Sequence, residues 1–205
     1  MKRRKKLIKS SVKINASFFK AGFKESLKYI SENRRFIYAV IILFILAVIT
    51  GLFISPTQGL IEQFTKYLKE LIDATKDLNT SQLIIFIFKN NVVASFLGLF
   101  LGIIFGIFPI ILCVLNGYIL GYVSRLAISE EGIWVLWRLF PHGVFELPAV
   151  LISLGLGVKL GFSLFGDKKS IVHSFKSSVK AFLLVILPLL IIAAIIEGIL
   201  ISFLG

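Results

Sequence analysis

The amino-acid sequence predicts an all-α integral membrane protein, a bundle of five transmembrane helices. Three observations carry that prediction. Hydrophobic residues make up 57% of the 205-residue chain and its mean hydropathy is +0.93, more apolar surface than one soluble core of this length can bury. The apolar residues gather into runs long enough to cross a hydrocarbon layer of roughly 30 Å. The charges, net +12, fall mostly between those runs rather than inside them.

Residues 1–35 form a basic lead, with twelve Lys or Arg against Glu25 and Glu32. Positive charge beside a span marks the cytoplasmic side. Ile8, Val12, Phe19, Phe23, Leu27 and Ile30 recur there at helical spacing among lysines. That pattern predicts an amphipathic helix lying on anionic lipid, with a positive tail that only sets topology as the alternative. Such a cluster could also bind nucleic acid, but its place beside a span favours lipid, and no nucleic-acid partner is expected. The lead is too long for a signal-peptide n-region and no Ala-x-Ala-like site follows, so the first apolar run is expected to be retained.

The first span is 36–54, ended by Ser55-Pro56. From Leu60 to Leu78 apolar residues repeat with a period near 3.6 and charges fill the other face. This predicts an external amphipathic helix over 60–78, packed on the bundle, laid on the outer leaflet or docked to a partner. Lys89-Asn90-Asn91 interrupts the next apolar stretch, which predicts a short interfacial helix before it and an asparagine cap on a second span at 91–106. That span carries Ala94, Gly98, Gly102 and Gly106 at four-residue intervals, a pattern that lets helix backbones approach closely. Gly106 and Pro109 predict a tight turn.

A third span at 108–124 carries Asn116 and a small stripe of Cys113, Gly117 and Gly121. Cys113 reads as a packing residue, because a single cysteine can form no intrachain disulfide. A loop over 125–138 holds Trp134 and Trp137 as interface anchors. The fourth span, 139–164, opens with Phe-Pro-His-Gly-Val-Phe-Glu-Leu-Pro, residues 140–148. A lysine-rich loop over 165–180, with His173 solvated in it, leads to a fifth span at 181–203 with Pro188 and Glu197. Pro148 and Pro188 each remove a helical hydrogen bond and predict kinks. The expected topology puts the N-terminus in the cytoplasm and the C-terminus outside, in the cell membrane.

Ionisable groups inside hydrocarbon cost about 2.5–3.5 kcal/mol each on insertion scales and mark interiors or cavities. With that topology, Lys89, Asn90, Asn91, Asn116, Arg138, His142, Glu146 and Glu197 fall in the outer half of the bilayer or just below it. The expectation is one polar cluster, in which Lys89 and Arg138 offset Glu146 and Glu197 around a small outward-facing vestibule. His142 and Glu146, four residues apart, share a helix face that Ser153 and Gly157 continue. Three readings of that pair stay open: a structural pair, a site for a proton, ion or solute, and half of a metal-ligand set. No Gly-x-Ser-x-Gly, His-Glu-x-x-His or Walker loop occurs, and no nucleophile adjoins the pair, so neither an enzyme nor a cofactor is predicted.

Asn90-Asn91, then Asn116-Gly117-Tyr118-Ile119-Leu120-Gly121, then Phe140-Pro141-His142-Gly143-Val144-Phe145-Glu146-Leu147-Pro148-Ala149, in that order, resemble the stage II sporulation protein M family over about residues 85–165. The resemblance implies a multi-pass membrane protein that serves as the membrane anchor of an envelope complex. In spore formers the namesake acts with a peptidoglycan hydrolase and a lytic transglycosylase-like partner. The expected function is a non-enzymatic scaffold or assembly subunit of envelope remodelling, a homo-oligomer or complex subunit through its glycine stripes. The alternative is a small-solute, ion or proton permease subunit that uses the vestibule; an intramembrane hydrolase finds no motif.

Overall fold

The structure, a computed structural model, describes residues 19–204. Residues 8–18 of the expected basic amphipathic helix lie outside them. Residues 19–32 are helical (α1), and a bend at Asn33 leads into α2, Arg34–Phe53. Then follow α3, Gln58–Thr75; α4, Thr80–Phe100; α5, Ile107–Glu131; α6, Leu136–Phe162; α7, Lys168–Ala181; and α8, Leu187–Leu204. No strand occurs among the described residues, and five helical stretches are long and apolar enough to cross a membrane.

The bundle is built round α6, whose span is 61% buried against 28–33% for the other four. Helix α2 pairs with α5, and α4 pairs with α8; each of the four also packs on α6. This explains the unequal texture of the sequence. A helix surrounded by helices must be small on several faces, and α6 carries Ser153, Gly155, Gly157 and Gly161, all buried. Helices facing lipid on one side can stay bulky there, as Ile42, Ile45 and Ile49 of α2 do.

Van der Waals packing, not the hydrophobic effect, holds helices together in lipid, so close approach matters most. Gly102 and Gly157 meet where a methyl group on either would overlap the facing backbone oxygen. Gly51 and Gly121 do the same between α2 and α5, against Tyr118 and Val48. Gly98 meets Leu154, Gly106 meets Val158, and Gly117 meets Phe44 and Ala47. Ala94, at the head of the expected stripe, is exposed instead and stands outside the contact. Cys113 is a buried packing residue whose Sγ lies 3.4 Å from the Val40 carbonyl.

Helices α1 and α7 run antiparallel: Gly22 lies against Lys180 and Leu184, while Tyr29 reaches Ser174 and Ser178. Lys180 donates to Glu25, which holds that carboxyl below the ordinary range, and burial pushes the Tyr29 phenol up. His173 is exposed, and its ring meets that of Tyr29 edge-on with 6.3 Å between centroids.

Three connections differ from expectation. The stretch before Lys89 is not a separate interfacial helix, because α4 runs unbroken from Thr80. Asn79, not Asn90 or Asn91, is its cap: Asn79 Oδ1 accepts from Gln82 N at 3.0 Å and Gln82 Oε1 accepts from Asn79 N at 3.0 Å. The reciprocal pair satisfies two orphan donors, and Lys89 is too good a helix former to stop what the cap starts. Helix α5 continues past 124 to Glu131, where Gly132 at φ 81° ends it, so much of the expected loop is helical. The lysine-rich 165–180 segment is α7 rather than a loop, started by Asp167 Oδ1 accepting from Ser170 N at 2.8 Å.

The turn between α4 and α5 falls where Gly106 predicted it, at φ 71°, with Pro109 in the first turn of α5. Helix α6 begins at Leu136, so Pro141 lies beyond its first turn and α6 runs unbroken through Pro148. Pro188 follows a π-helical segment, Phe182–Ile186, the widened turn expected where a proline withholds its N–H from the carbonyl one turn earlier.

Candidate functional site: a carboxyl pair between three spans

The polar residues that do converge come from α4, α6 and α8. Glu146 lies about 15 Å along α6 from its start and is half-buried. Its carboxyl group stands beside the Glu197 carboxyl of α8 and the Asn91 side chain of α4. Neighbouring contacts fix the register: Gly198 lies against Ile84, and Ala194 packs with Leu83 and Ile87. A hydrogen bond between two carboxyl groups requires an O–H on one of them, since ionised carboxylates only accept. Two carboxyl groups placed side by side in this way can hold a proton between them.

One lone-pair face remains open. Glu197 Oε2 is buried without a hydrogen-bond partner among the described residues. So is the hydroxyl of Ser95, one turn along α4 from Asn91 and 0% exposed. The Ser95 carbonyl accepts from Ser153 Oγ at 2.8 Å, joining α4 to α6 below the carboxyl pair. Asn91, Ser95, Ser153, Glu146 and Glu197 thus give the α4–α6–α8 interface a polar line through otherwise apolar walls.

Three others of the expected cluster, Lys89, Asn90 and Asn116, are not in this junction. Lys89 is exposed and makes no ion pair among the described residues, so it does not offset the glutamates. Asn90 is exposed beside it; on a continuous α4 a neighbour of Asn91 points about 100° away from it. Asn116 is also exposed, and its Nδ2 donates to the Leu112 carbonyl of its own helix at 2.8 Å. It bridges no helices, because α5 turns Cys113, Gly117 and Gly121 to the bundle instead. The side chains of Arg138 and His142 lie outside the described residues. No group of three or more metal-ligating side chains occurs among those described.

One participant in the junction was missed in the sequence, and one ionisable residue of the fourth span outside it. Ser95 stands one turn from Asn91, a spacing that could have marked it. Lys159, an ionisable residue inside the fourth span, lies near Arg35 and donates to Ser174 Oγ at 3.3 Å.

Fold and site together define a multi-pass helical membrane protein with an intramembrane carboxyl pair at a three-helix junction. Comparison with known proteins gives the family: residues 40–200 match Stage II sporulation protein M, and the chain belongs to that family. Two relatives come from Methanocaldococcus jannaschii, both described as uncharacterized proteins. One is 30% identical over 191 residues, 85% of this chain and 85% of the relative. The other is 33% identical over 119 residues, covering 54% of this chain and 66% of the relative. No solved structure matches.

Proposed function

We propose that the protein is a non-enzymatic scaffold, an assembly subunit that holds envelope-remodelling partners, such as cell-wall hydrolases, at the cell membrane. The observation that carries this reading is α3. It is amphipathic, and of its apolar residues Leu60, Tyr67 and Ile72 stay exposed. Its ring contact with the bundle is Phe64 against Tyr122 of α5, 6.4 Å between centroids. An 18-residue helix kept beside the bundle but hardly packed into it suits the capture of another chain.

Orientation belongs to the same proposal. Arg34, Arg35, Lys168, Lys169 and Lys176 share the α1/α7 side with the basic lead, whereas on the α3 side lysines alternate with Glu62, Glu70, Asp73 and Asp77. The positive-inside rule then puts α1 and α7 in the cytoplasm, α3 outside and the basic lead on anionic lipid. The glycine-zipped bundle serves as the anchor of a homo-oligomer or larger complex.

The rival reading, a proton or ion permease subunit, is favoured by the Glu146–Glu197–Asn91 junction. One experiment separates them. Exchange Gln58–Thr75 for a helix of equal length and charge with its apolar residues permuted, and separately make Glu197→Gln. The scaffold reading expects the α3 exchange to insert normally, lose its cross-linked partner and give an envelope defect, while Glu197→Gln stays active. The reverse pattern, with pH-dependent uptake in vesicles, overturns it.

A further inference from the structure

The four outer helices do not close a ring round α6. Helices α2 and α8 make no extended contact with each other, and α6 is bare between them. Val144 is 44% exposed there and Pro148 is exposed beside it. The gap is a groove of about 610 Å³ between α2 and α6, walled by Ile41, Val144, Leu147 and Leu151. Ser31 and Arg34 stand at its α1 end.

We propose that this groove binds one anionic membrane lipid from the leaflet on the α1 side, with its phosphate on Arg34 and Ser31 and one hydrocarbon chain along Ile41, Leu151 and Val144. The dimensions suit a chain. Gly143 to Ile152, the extent of the groove on α6, spans about 14 Å of helix, close to half of a hydrocarbon core of roughly 30 Å. A helix about 10 Å across is too wide to settle fully into such a slot. The charge also suits it. Arg34 is exposed and makes no ion pair among the described residues, and neither does Arg35 or Lys159 nearby. Arg34 is the cation that lines the groove; left without an acid it attracts a phosphate and repels the ammonium of a zwitterionic lipid, and its guanidinium fork matches phosphate oxygens. The proposal is independent of both functional readings.

Native mass spectrometry of the full chain tests it, with release from nanodiscs of mixed anionic and zwitterionic lipid into mild detergent. Wild type should keep one anionic lipid. Arg34→Ala, which removes the phosphate contact, and Val144→Trp, which fills the groove, should each keep at least tenfold less, with unchanged helical circular dichroism. Lys20→Ala, on the same basic helix but away from the groove, should keep it. Equal loss in Lys20→Ala means diffuse attraction to the basic surface and overturns the proposal. Retention in Val144→Trp overturns it too, as does a wild-type dimer without lipid that Val144→Trp dissociates. Should either variant lose its helical signal, the other decides.

Discussion

The two sides of α6 hold their neighbours by different means. Towards α2 and α5 the contact is almost wholly a matter of shape: Gly51, Gly117 and Gly121 bring backbones together, and two side-chain hydrogen bonds from α5 end on backbone carbonyls, Cys113 Sγ on Val40 at 3.4 Å and Tyr118 Oη on Ile54, just past α2, at 3.1 Å. Towards α4 and α8 the same small-residue packing, Gly102 on Gly157 and Gly161 on Gly106, is joined by Asn91, Ser95, Ser153, Glu146 and Glu197. Both halves sit in one lipid environment and both are tightly packed. The α2/α5 half packs tightly with no carboxyl or basic side chain between its helices inside the apolar layer. The carboxyl pair is therefore an addition that packing did not require, and intramembrane carboxyls carry a cost that selection for stability alone would remove.

The largest effect expected breaks the shape-only half. Gly121→Leu would drive a side chain into the Val48 carbonyl and the Leu52 amide of α2, backbone groups that cannot give way. We expect a loss above about 4 kcal/mol, the range of core overlap and lost packing, read as failure to accumulate in the membrane or collapse of thermal stability in detergent. Stable accumulation of the variant would mean that α2 and α5 are not held by close approach.

Next comes a cycle on the carboxyl pair. Glu146→Leu alone leaves Glu197 and Asn91 buried without their partner and should cost about 1–3 kcal/mol. Glu146→Leu with Glu197→Leu removes both groups and should recover most of that loss, because replacing both partners by apolar groups can be nearly neutral. Detergent melting of wild type, Glu146→Leu, Glu197→Leu and the double variant measures it. If the double variant melts as stable protein and fails in the host, the pair is there for chemistry. If it is as damaged as the sum of the single variants, the pair is structural.

How much of this contrast the sequence revealed depends on the kind of signal. Small-residue spacing at Gly98, Gly102, Gly117 and Gly121 is local and repeats with the helix, so it foretold close contacts, though not which helix would supply them. Glu146 and Glu197 were legible because a carboxylate in an apolar run is anomalous by itself. Lys89 was misassigned because charge balance was argued from depth alone, and two groups at one depth can lie on opposite faces of a helix. Asn116 failed for a similar reason: an amide can be satisfied by its own helix. The missed helix α7 had its signal in plain view, since Asp167 three residues before Ser170 is a capping pattern that a run of serines and lysines obscured.

A smaller effect tests the one hydroxyl that ties α4 to α6. Ser153→Ala removes the 2.8 Å bond to the Ser95 carbonyl without disturbing the packing. Hydrogen bonds between helices in lipid average about 0.6 kcal/mol, so a shift of that size is expected in detergent melting. A cost above about 2 kcal/mol would show that the polar half is held by its hydrogen bonds rather than by its glycines.

The smallest effect lies outside both halves, where α1 rests on α7. Glu25 is fully exposed and its carboxyl is held low by Lys180, so the contribution of this pair is present above the ordinary carboxylate pKa and lost as pH falls through the lowered one. The pair should thus be intact at neutral pH and weaken only in acid, below the ordinary carboxyl value of 4.5. Tyr29 works in the opposite sense. Its phenol is pushed up, so its neutral form favours the folded state, and docking should weaken only as pH rises beyond the ordinary value of 10.0. Spin labels on α1 and α7 should therefore keep one separation across the neutral range and part at both extremes. Glu25→Gln should abolish the acid limb and leave the alkaline limb, and Tyr29→Phe the reverse. A separation that changes near neutrality would place the controlling group outside this pair of contacts.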